Sequence, residues 1–412
     1  MNQRHAPESP ARDFTLETLV ESLSAWHADH AVEDDAEGLQ VAVRRRVAVE
    51  TQALASLMMA DEDRQRLSAL SRWLEENLAR LASVLEERET QRLPRSWACD
   101  HRGGRLLDDG RVVMVNAIDR DLLGHGAEIV QDPVADLASL LVGLEVRDEA
   151  RLANQALDAY LRHSGDYRAA RLLSLFRVLE CLAGARRALR RLEAAEGDDE
   201  RPALRAETMG ACRRYLELAE RHAEFRFPPL VIGVGVSGSG KSRFTRSLVA
   251  RLGAVRVSSY AERRRLHGLS PQGEPGEEAV DIFSVDATER TYQRLARCAG
   301  SLLDAGLPAC IDATCLAQAQ RDWLRHQAES RGLPVLLVSF EADQATLTRR
   351  ITKRAGRYGA TAEDGLTVLS HQQERFESFS DEERYHLVRL DTTADNAGET
   401  LAGMIQEHMH WS

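Results

Sequence analysis

The stretch Gly235-Val236-Ser237-Gly238-Ser239-Gly240-Lys241-Ser242 constrains this chain more than any other. It follows an apolar run, Leu230 to Val234, and precedes a helical pattern, Ser242 to Leu252. A buried strand that ends in a glycine-rich turn and opens a helix is a unit of parallel α/β architecture. Small residues let backbone N–H groups curl around an anion at the helix N-terminus, as in the Walker A pattern G-x-x-x-x-G-K-[S/T]. Lysine occurs only at Lys241 and Lys353, so 52 of the 54 basic residues are arginine. Lysine and arginine are not equivalent where a compact ammonium is needed, and this loop keeps the ammonium. The expected ligand is ATP, held by Gly235, Ser237, Gly238, Ser239, Gly240, Lys241, Ser242 and Arg243. In that arrangement Lys241 reaches the β and γ phosphates, and the Ser242 hydroxyl ligates Mg2+.

Downstream, short apolar runs alternate with helical patterns. Strands are expected at Leu230 to Gly235, Ala254 to Val257, Pro308 to Asp312, Pro334 to Phe340 and Tyr385 to Asp391. Helices are expected near 241–252, 286–305, 316–331, 342–356, 362–376 and 396–409. Val335-Leu336-Leu337-Val338 is apolar throughout, which suits a strand covered on both faces. The fold class is therefore α/β, with a parallel sheet flanked by helices. Asp312 ends the third of these strands and is expected to serve the Mg2+ or its water, the Walker B role. Arg349, Arg350, Lys353, Arg354 and Arg357 share one helix and its end. From there Arg350 or Arg354 is expected to neutralise charge during transfer, as a closing lid would. The catalytic set is Lys241, Asp312, Arg350 and Arg354, and the metal set is Ser242 and Asp312.

Upstream the grammar differs. From Asp13 to Leu93 the pattern is helical, and Leu67, Leu70, Leu74, Leu78, Leu81 and Leu85 form one stripe of an amphipathic helix. A hairpin is expected where Arg105-Leu106-Leu107 and Val112-Val113-Met114-Val115 flank Asp109-Gly110. Helix resumes from Pro133 to Leu192, with Leu172, Leu175, Leu179, Leu182 and Leu189 close to one face, and again from Pro202 to Ala223. Residues 194–200 are polar and expected to form an exposed corner. Phe227-Pro228-Pro229 cannot continue a helix, so the division is expected at 1–225, mainly helical, and 226–412, the P-loop part.

Composition excludes several classes. At 43% hydrophobic and 29% charged residues, the chain has ordinary material for buried cores. A net charge of −11 argues against a broad nucleic-acid surface, which needs clustered basic charge. No apolar run is long enough to span a membrane, and Met1 to Phe14 lacks the apolar core of a signal peptide, so a cytoplasmic location is expected. The six cysteines are dispersed without a Cys-x-x-Cys pair and read as buried thiols.

From 230 to about 395 the chain resembles the P-loop kinases labelled AAA-type ATP-binding proteins, near gluconate kinase and zeta-toxin-like kinases. The resemblance rests on the P-loop, on Ala254-Val255-Arg256-Val257 leading into Glu262-Arg263-Arg264-Arg265-Leu266, and on Ala287-Thr288-Glu289-Arg290-Thr291-Tyr292. Ile311-Asp312-Ala313-Thr314 and the arginine-rich lid reinforce it. It implies an ATP- and Mg2+-dependent kinase acting on a small hydroxyl-bearing acceptor. Such kinases often carry an aspartate after the second strand to orient or deprotonate that hydroxyl, and here the position is Tyr260. A phenol of pKa near 10 is a poor base at neutral pH. Three readings follow: Asp312 serves the acceptor, the acceptor chemistry differs, or transfer is lost and ATP binding remains. In the last, the chain is a nucleotide-binding regulatory or interaction protein with slow ATPase activity.

Residues 95–195 resemble the C-lobe of aminoglycoside phosphotransferase-like proteins, through Asp132-Pro133-Val134-Ala135-Asp136-Leu137-Ala138 and Tyr160-Leu161 through Gly165-Asp166-Tyr167. That family's signature is His-Gly-Asp-x-His-x-x-Asn with a later metal-binding Asp. The corresponding residues here are Ala98-Cys99-Asp100-His101-Arg102-Gly103-Gly104-Arg105, with Asn116 after the hairpin. One register keeps Asp100 as base but puts Arg105 and Asn116 at the metal positions. The other matches His101 but puts Cys99 at the base and Gly104 at the metal Asn. With no lysine before Lys241, an inactive domain is expected, serving as scaffold, regulator, acceptor-binding surface or the side that meets a protein partner.

Overall fold

A computed structural model of the chain describes residues 15–29, 38–90, 96–97, 105–108, 111–114, 130–193, 201–224, 226–273, 282–358 and 361–410. The first helices are α1 (Leu16–Asp29), α2 (Leu39–Leu57) and α3 (Asp61–Thr90). All six leucines of the α3 stripe are buried, as spacing at three and four residues requires when one face meets a core. Two antiparallel pairs follow: β1 (Ser96–Trp97) with β4 (Val130–Gln131), and the hairpin strands β2 (Arg105–Asp108) and β3 (Arg111–Met114). The long helical stretch expected from 133 to 192 is broken. It comprises α4 (Val134–Glu145), α5 (Ala150–Ser164), a 3-10 turn at Tyr167–Leu172 and α6 (Leu173–Glu193). Gly165 stops α5 at φ 69°, a conformation glycine adopts at little cost. Then α7 (Arg201–Ala223) packs along α6. The corner at 194–200 lies outside the described residues.

This half buries charge as well as leucine. Arg88 is 1% exposed and bonds Asp132 and Asp166, while Arg186 bonds Glu50 and Arg46 bonds Glu180. His27 lies between Tyr160 Oη at 2.8 Å and Asp136 Oδ2 at 3.0 Å, and Gln131 Nε2 donates to the other Asp136 oxygen. Asp132, Asp136, Tyr160 and Asp166 all belong to the stretches that resemble the phosphotransferase lobe. They act here as internal ties between α1, α3, α4 and α5. Cys99, Asp100, His101, Gly103, Gly104 and Asn116 lie outside the described residues.

The second half is β5 (Leu230–Val234), α8 (Lys241–Leu252), β6 (Val255–Ser258), α9 (Ser259–Leu266) and α10 (Val285–Asp304). It continues with β7 (Ala309–Asp312), α11 (Gln318–Glu329), β8 (Val335–Glu341), α12 (Gln344–Tyr358) and α13 (Ala362–Glu374). The short α14 (Asp381–Arg384), β9 (Leu387–Asp391) and α15 (Ala397–His410) complete it. All five expected strands are present and pair in parallel, in the order β6-β7-β5-β8-β9. The sequence reading did not resolve α9 and α14 as separate helices; each is short.

Both sheet faces are covered, which explains the unbroken apolar strands. Val231, Cys310, Leu336 and Phe340 pack against Phe244, Leu248 and Leu401. On the other face Ile232, Val257, Ile311 and Leu337 join a cluster that continues into the helical half through Leu157, Tyr167 and Leu172. The two halves also share polar ties. Arg265 donates to the carbonyls of Arg162, His163 and Ser164, closing the end of α5. Glu262 is fully buried between Arg265 and Arg294, and Arg294 donates to Gly165 O. Asp158 of α5 accepts the backbone N–H of Arg256 at 2.7 Å and so occupies part of the exposed edge of β6. Among the described residues, no helix is long and apolar enough to cross a membrane, and five cysteines are buried free thiols.

Candidate P-loop phosphate site

The sheet order places β5 between β7 and β8, so the loop leaving β5 opens where neighbouring connections diverge, the usual ligand crevice of such sheets. Parallel pairing sets Gly233 beside Asp312 and Ser258 beside Asp312 from the other side. The carboxylate is thereby brought to the sheet end that carries the P-loop. Gly238 has φ 81°, and a Cβ there would meet Leu347 O at 3.3 Å and Ile351 Cγ1 at 3.2 Å. Glycine is needed both for the conformation and for the close approach of α12. Helix α8 starts on Gly240 with no side-chain cap and no acidic residue in its first turn. Its first two amides, of Lys241 and Ser242, have no earlier helical carbonyl to bond, and no acidic side chain in that turn offsets its dipole.

Lys241 is 9% exposed. Its Nζ donates to Gly235 O at 2.7 Å and Val236 O at 2.8 Å, which holds the loop in a ring around the ammonium. Burial lowers its pKa to about 8, against the charge of Asp312, which raises it; Arg354 lowers it further. Ser242 Oγ donates to Asp312 Oδ1 at 3.1 Å, and Arg256 Nη1 donates to Asp312 Oδ2 at 3.2 Å. Ser242 and Asp312 thus present two hard oxygen donors side by side. With nucleotide oxygens and waters they suit Mg2+, which seldom takes a cage made wholly of protein. Groups of three or more His, Cys, Asp or Glu fit for a metal are absent among the described residues.

The lid arginines part company. Arg350 is tied down, donating to Gly238 O at 3.1 Å and to Thr392 Oγ1 and O at 2.9 and 3.0 Å. Arg349 reaches Thr346 Oγ1 at 3.3 Å, while Lys353 and Arg354 are exposed. The Arg357 side chain lies outside the described part. Leu347, Ile351 and Leu369 form a small cluster with Val236, seating α12 and α13 on the loop. Gln372 of α13 accepts the Ser237 N–H at 2.7 Å. Arg243, expected among the nucleotide contacts, lies over the Phe244 ring at 5.6 Å.

Tyr260 donates its hydroxyl to Gly273 O at 3.1 Å, and Arg264 covers its ring at 5.7 Å. Arg263 is three positions on from Tyr260. That residue instead donates to Ile282 O and Thr288 Oγ1, because α9 turns it toward the segment entering α10. Sequence reasoning missed Arg256, Gln372 and Thr392. Only Arg256 left a signal, as the charged interruption of Ala254-Val255-Arg256-Val257.

Residues 230–379 match the AAA domain family. The matched stretch contains the loop from Gly235 to Ser242 and the strand that ends in Asp312. Among curated proteins, the uncharacterized protein Rv2004c of Mycobacterium tuberculosis is 26% identical over 243 residues, covering 58% of this chain and 47% of that protein. The corresponding uncharacterized protein of Mycobacterium bovis gives the same figures. The chain therefore spans about half the length of the curated relatives it matches. Among solved structures, a gluconokinase from Sinorhizobium meliloti is 21% identical, with 45% of this chain and 91% of that chain covered and a TM-score of 0.31. The Mycobacterium tuberculosis APS kinase CysC, in complex with AMPPNP and APS, is 19% identical, with coverage of 45% and 99% and a TM-score of 0.34.

Proposed function

We propose that this chain is an ATP- and Mg2+-dependent phosphotransferase for a small hydroxyl-bearing acceptor, organised as a helical part, 1–225, and a P-loop part, 226–412. The observation that carries the reading is the Lys241 ammonium held inside the loop beside the Ser242 and Asp312 oxygen pair. Gly238 to Ser242 supply the amides that grip the phosphates, and Lys241 balances the charge of the β and γ groups. Ser242 and Asp312 would hold Mg2+, which would supply positive charge to neutralise the phosphates. Arg354 is an exposed lid arginine, free to swing over the terminal phosphate. Arg350 fixes the loop through Gly238 O and keeps that geometry during transfer. The helical part is a phosphotransferase-like lobe without activity of its own, and Asp132, Asp136 and Asp166 of the resembling stretches are spent on internal ion pairs and hydrogen bonds.

One observation favours a second reading. The Tyr260 hydroxyl donates to Gly273 O and serves packing, so it offers an acceptor no base. A nucleotide-binding regulatory protein with slow ATPase activity fits that feature. The deciding experiment measures ATP consumption and phosphorylated product with sugars, aminoglycosides and nucleotide sugars, in wild type and Lys241→Ala. Acceptor-dependent turnover lost in the variant is expected. Slow ATP loss indifferent to every acceptor would leave the regulatory reading, and equal ATP affinity in both proteins would sink the P-loop assignment.

A further inference from the structure

Arg256 lies between two carboxylates from different halves of the chain. Its guanidinium donates through Nη1 to Asp312 Oδ2 at 3.2 Å, and its backbone N–H donates to Asp158 Oδ1 at 2.7 Å. Asp158 is 6% exposed and belongs to α5, and its second oxygen is 3.9 Å from Arg162 Nε. The Arg256 side chain is only 11% exposed, and its Nε has no hydrogen-bond partner among the described residues. A buried guanidinium bonded at one edge only is not the arrangement that a purely structural arginine settles into, since unmet buried donors are costly. Its charge also falls on the carboxylate oxygen next to the one facing Ser242.

We propose that Arg256 positions Asp312 and that Asp158, from the helical half, tunes how strongly the Ser242 and Asp312 pair holds a divalent cation. The inference rests on the metal reading of that pair and adds a regulator to it. A fixed positive charge beside a cation site weakens the cation, and a carboxylate on its far side offsets that effect. With Oδ2 claimed by Arg256, the Oδ1 lone pairs keep their aim toward Ser242. With Asp158 in place, the arginine costs the metal less. The helical half thereby acts on the P-loop without contributing a ligand. By linkage, a cation at the site strengthens the hold of Asp158 on Arg256 and so the docking of α5 against β6.

The test titrates the full chain with Mn2+ in the presence of ADP and reads free Mn2+ by electron paramagnetic resonance. Asp158→Asn keeps an acceptor for the Arg256 N–H and removes only the charge; it should weaken Mn2+ roughly threefold to tenfold. Arg256→Gln keeps a donor for Asp312 and should tighten Mn2+ by a similar factor. The double variant should return to within about twofold of wild type, because both charges are gone. Opposite signs with compensation are the signature that loss of packing would not give. Variants that shift Mn2+ in the same direction, or not at all, overturn the inference while wild-type binding stands. Should Asp158→Asn fail to fold, Arg256→Gln alone decides, and unchanged or weaker binding rejects the inference. Wild type that takes up no Mn2+ with ADP instead removes the metal reading itself.

Discussion

Val236 joins Lys241 through its carbonyl, 2.8 Å from Nζ, and the next peptide N–H is taken by Gln372. One peptide unit therefore connects the ammonium at the centre of the loop with the helix α13 that covers it. The loop is held from inside by its lysine and from outside by its lid, so changes on either side reach the loop's amides.

The lysine should make nucleotide binding pH-dependent. Burial lowers its pKa to about 8, so in the free loop the ammonium is progressively lost above that pH. Phosphate favours the charged form, so binding above pH 8 takes up a proton, and affinity falls as pH rises, by up to about tenfold per unit. At pH 6.5 no uptake by this group is expected. Calorimetric titration with ATP in two buffers of different protonation heat checks this. Affinity that stays flat from pH 7 to 9.5, with no buffer-dependent heat, would contradict it.

Asp312 and Tyr260 should separate cleanly. Asp312→Asn keeps hydrogen bonding to Ser242 and Arg256 but weakens the oxygen set for Mg2+, so turnover should fall by about a hundredfold or more. Tyr260→Phe removes the hydroxyl that donates to Gly273 O and accepts from Arg264 Nη1, at about 1 kcal/mol of stability, and should keep most turnover. Steady-state ATP consumption by the two variants decides; a dead Phe variant beside an active Asn variant inverts the assignment.

Gly238→Ala tests the fit between loop and lid. The added Cβ meets Leu347 O and Ile351 at a φ of 81°, so α12 must retreat or the loop must change shape. The expected result is a stability loss of about 1–2 kcal/mol and a clear loss of ATP affinity, read by thermal melting with and without Mg-ATP. Wild-type affinity in a stable variant would show that the lid does not bear on the loop.

The sheet was legible because burial on both faces leaves unbroken apolar strands, and the P-loop was legible because its glycines and lysine follow a fixed spacing. Asp312 could be placed because a strand ending in a carboxylate is a local pattern. The partners that tune it were hidden. Arg256 reaches Asp312 across neighbouring strands, and Asp158 lies 98 positions earlier in the chain. Arg350 was visible as a lid arginine, but its bond to Thr392 depends on where β9 ends. Leucine spacing marked the core face of α3, whereas Arg88 on the same helix reads as an ordinary surface charge until Asp132 and Asp166 close around it.

That arginine gives the last prediction. Arg88 is 1% exposed and Asp132 is fully buried; Arg88 Nη2 donates to Asp132 Oδ1 at 3.1 Å and pairs with Asp166 at 2.9 Å. Replacing it by methionine keeps much of the volume but strands a buried carboxylate, which typically costs about 3–5 kcal/mol. Asp132→Asn removes that charge and still accepts the Val134 N–H at the start of α4. Arg88→Met should therefore lower the urea midpoint sharply. Adding Asp132→Asn should restore much of the loss, because the two changes are coupled through one contact. ATP affinity should change little in any variant that remains folded, since this cluster lies in the helical half. If the double variant is as unstable as the sum of the two single ones, the pair is not coupled and Arg88 acts through packing alone.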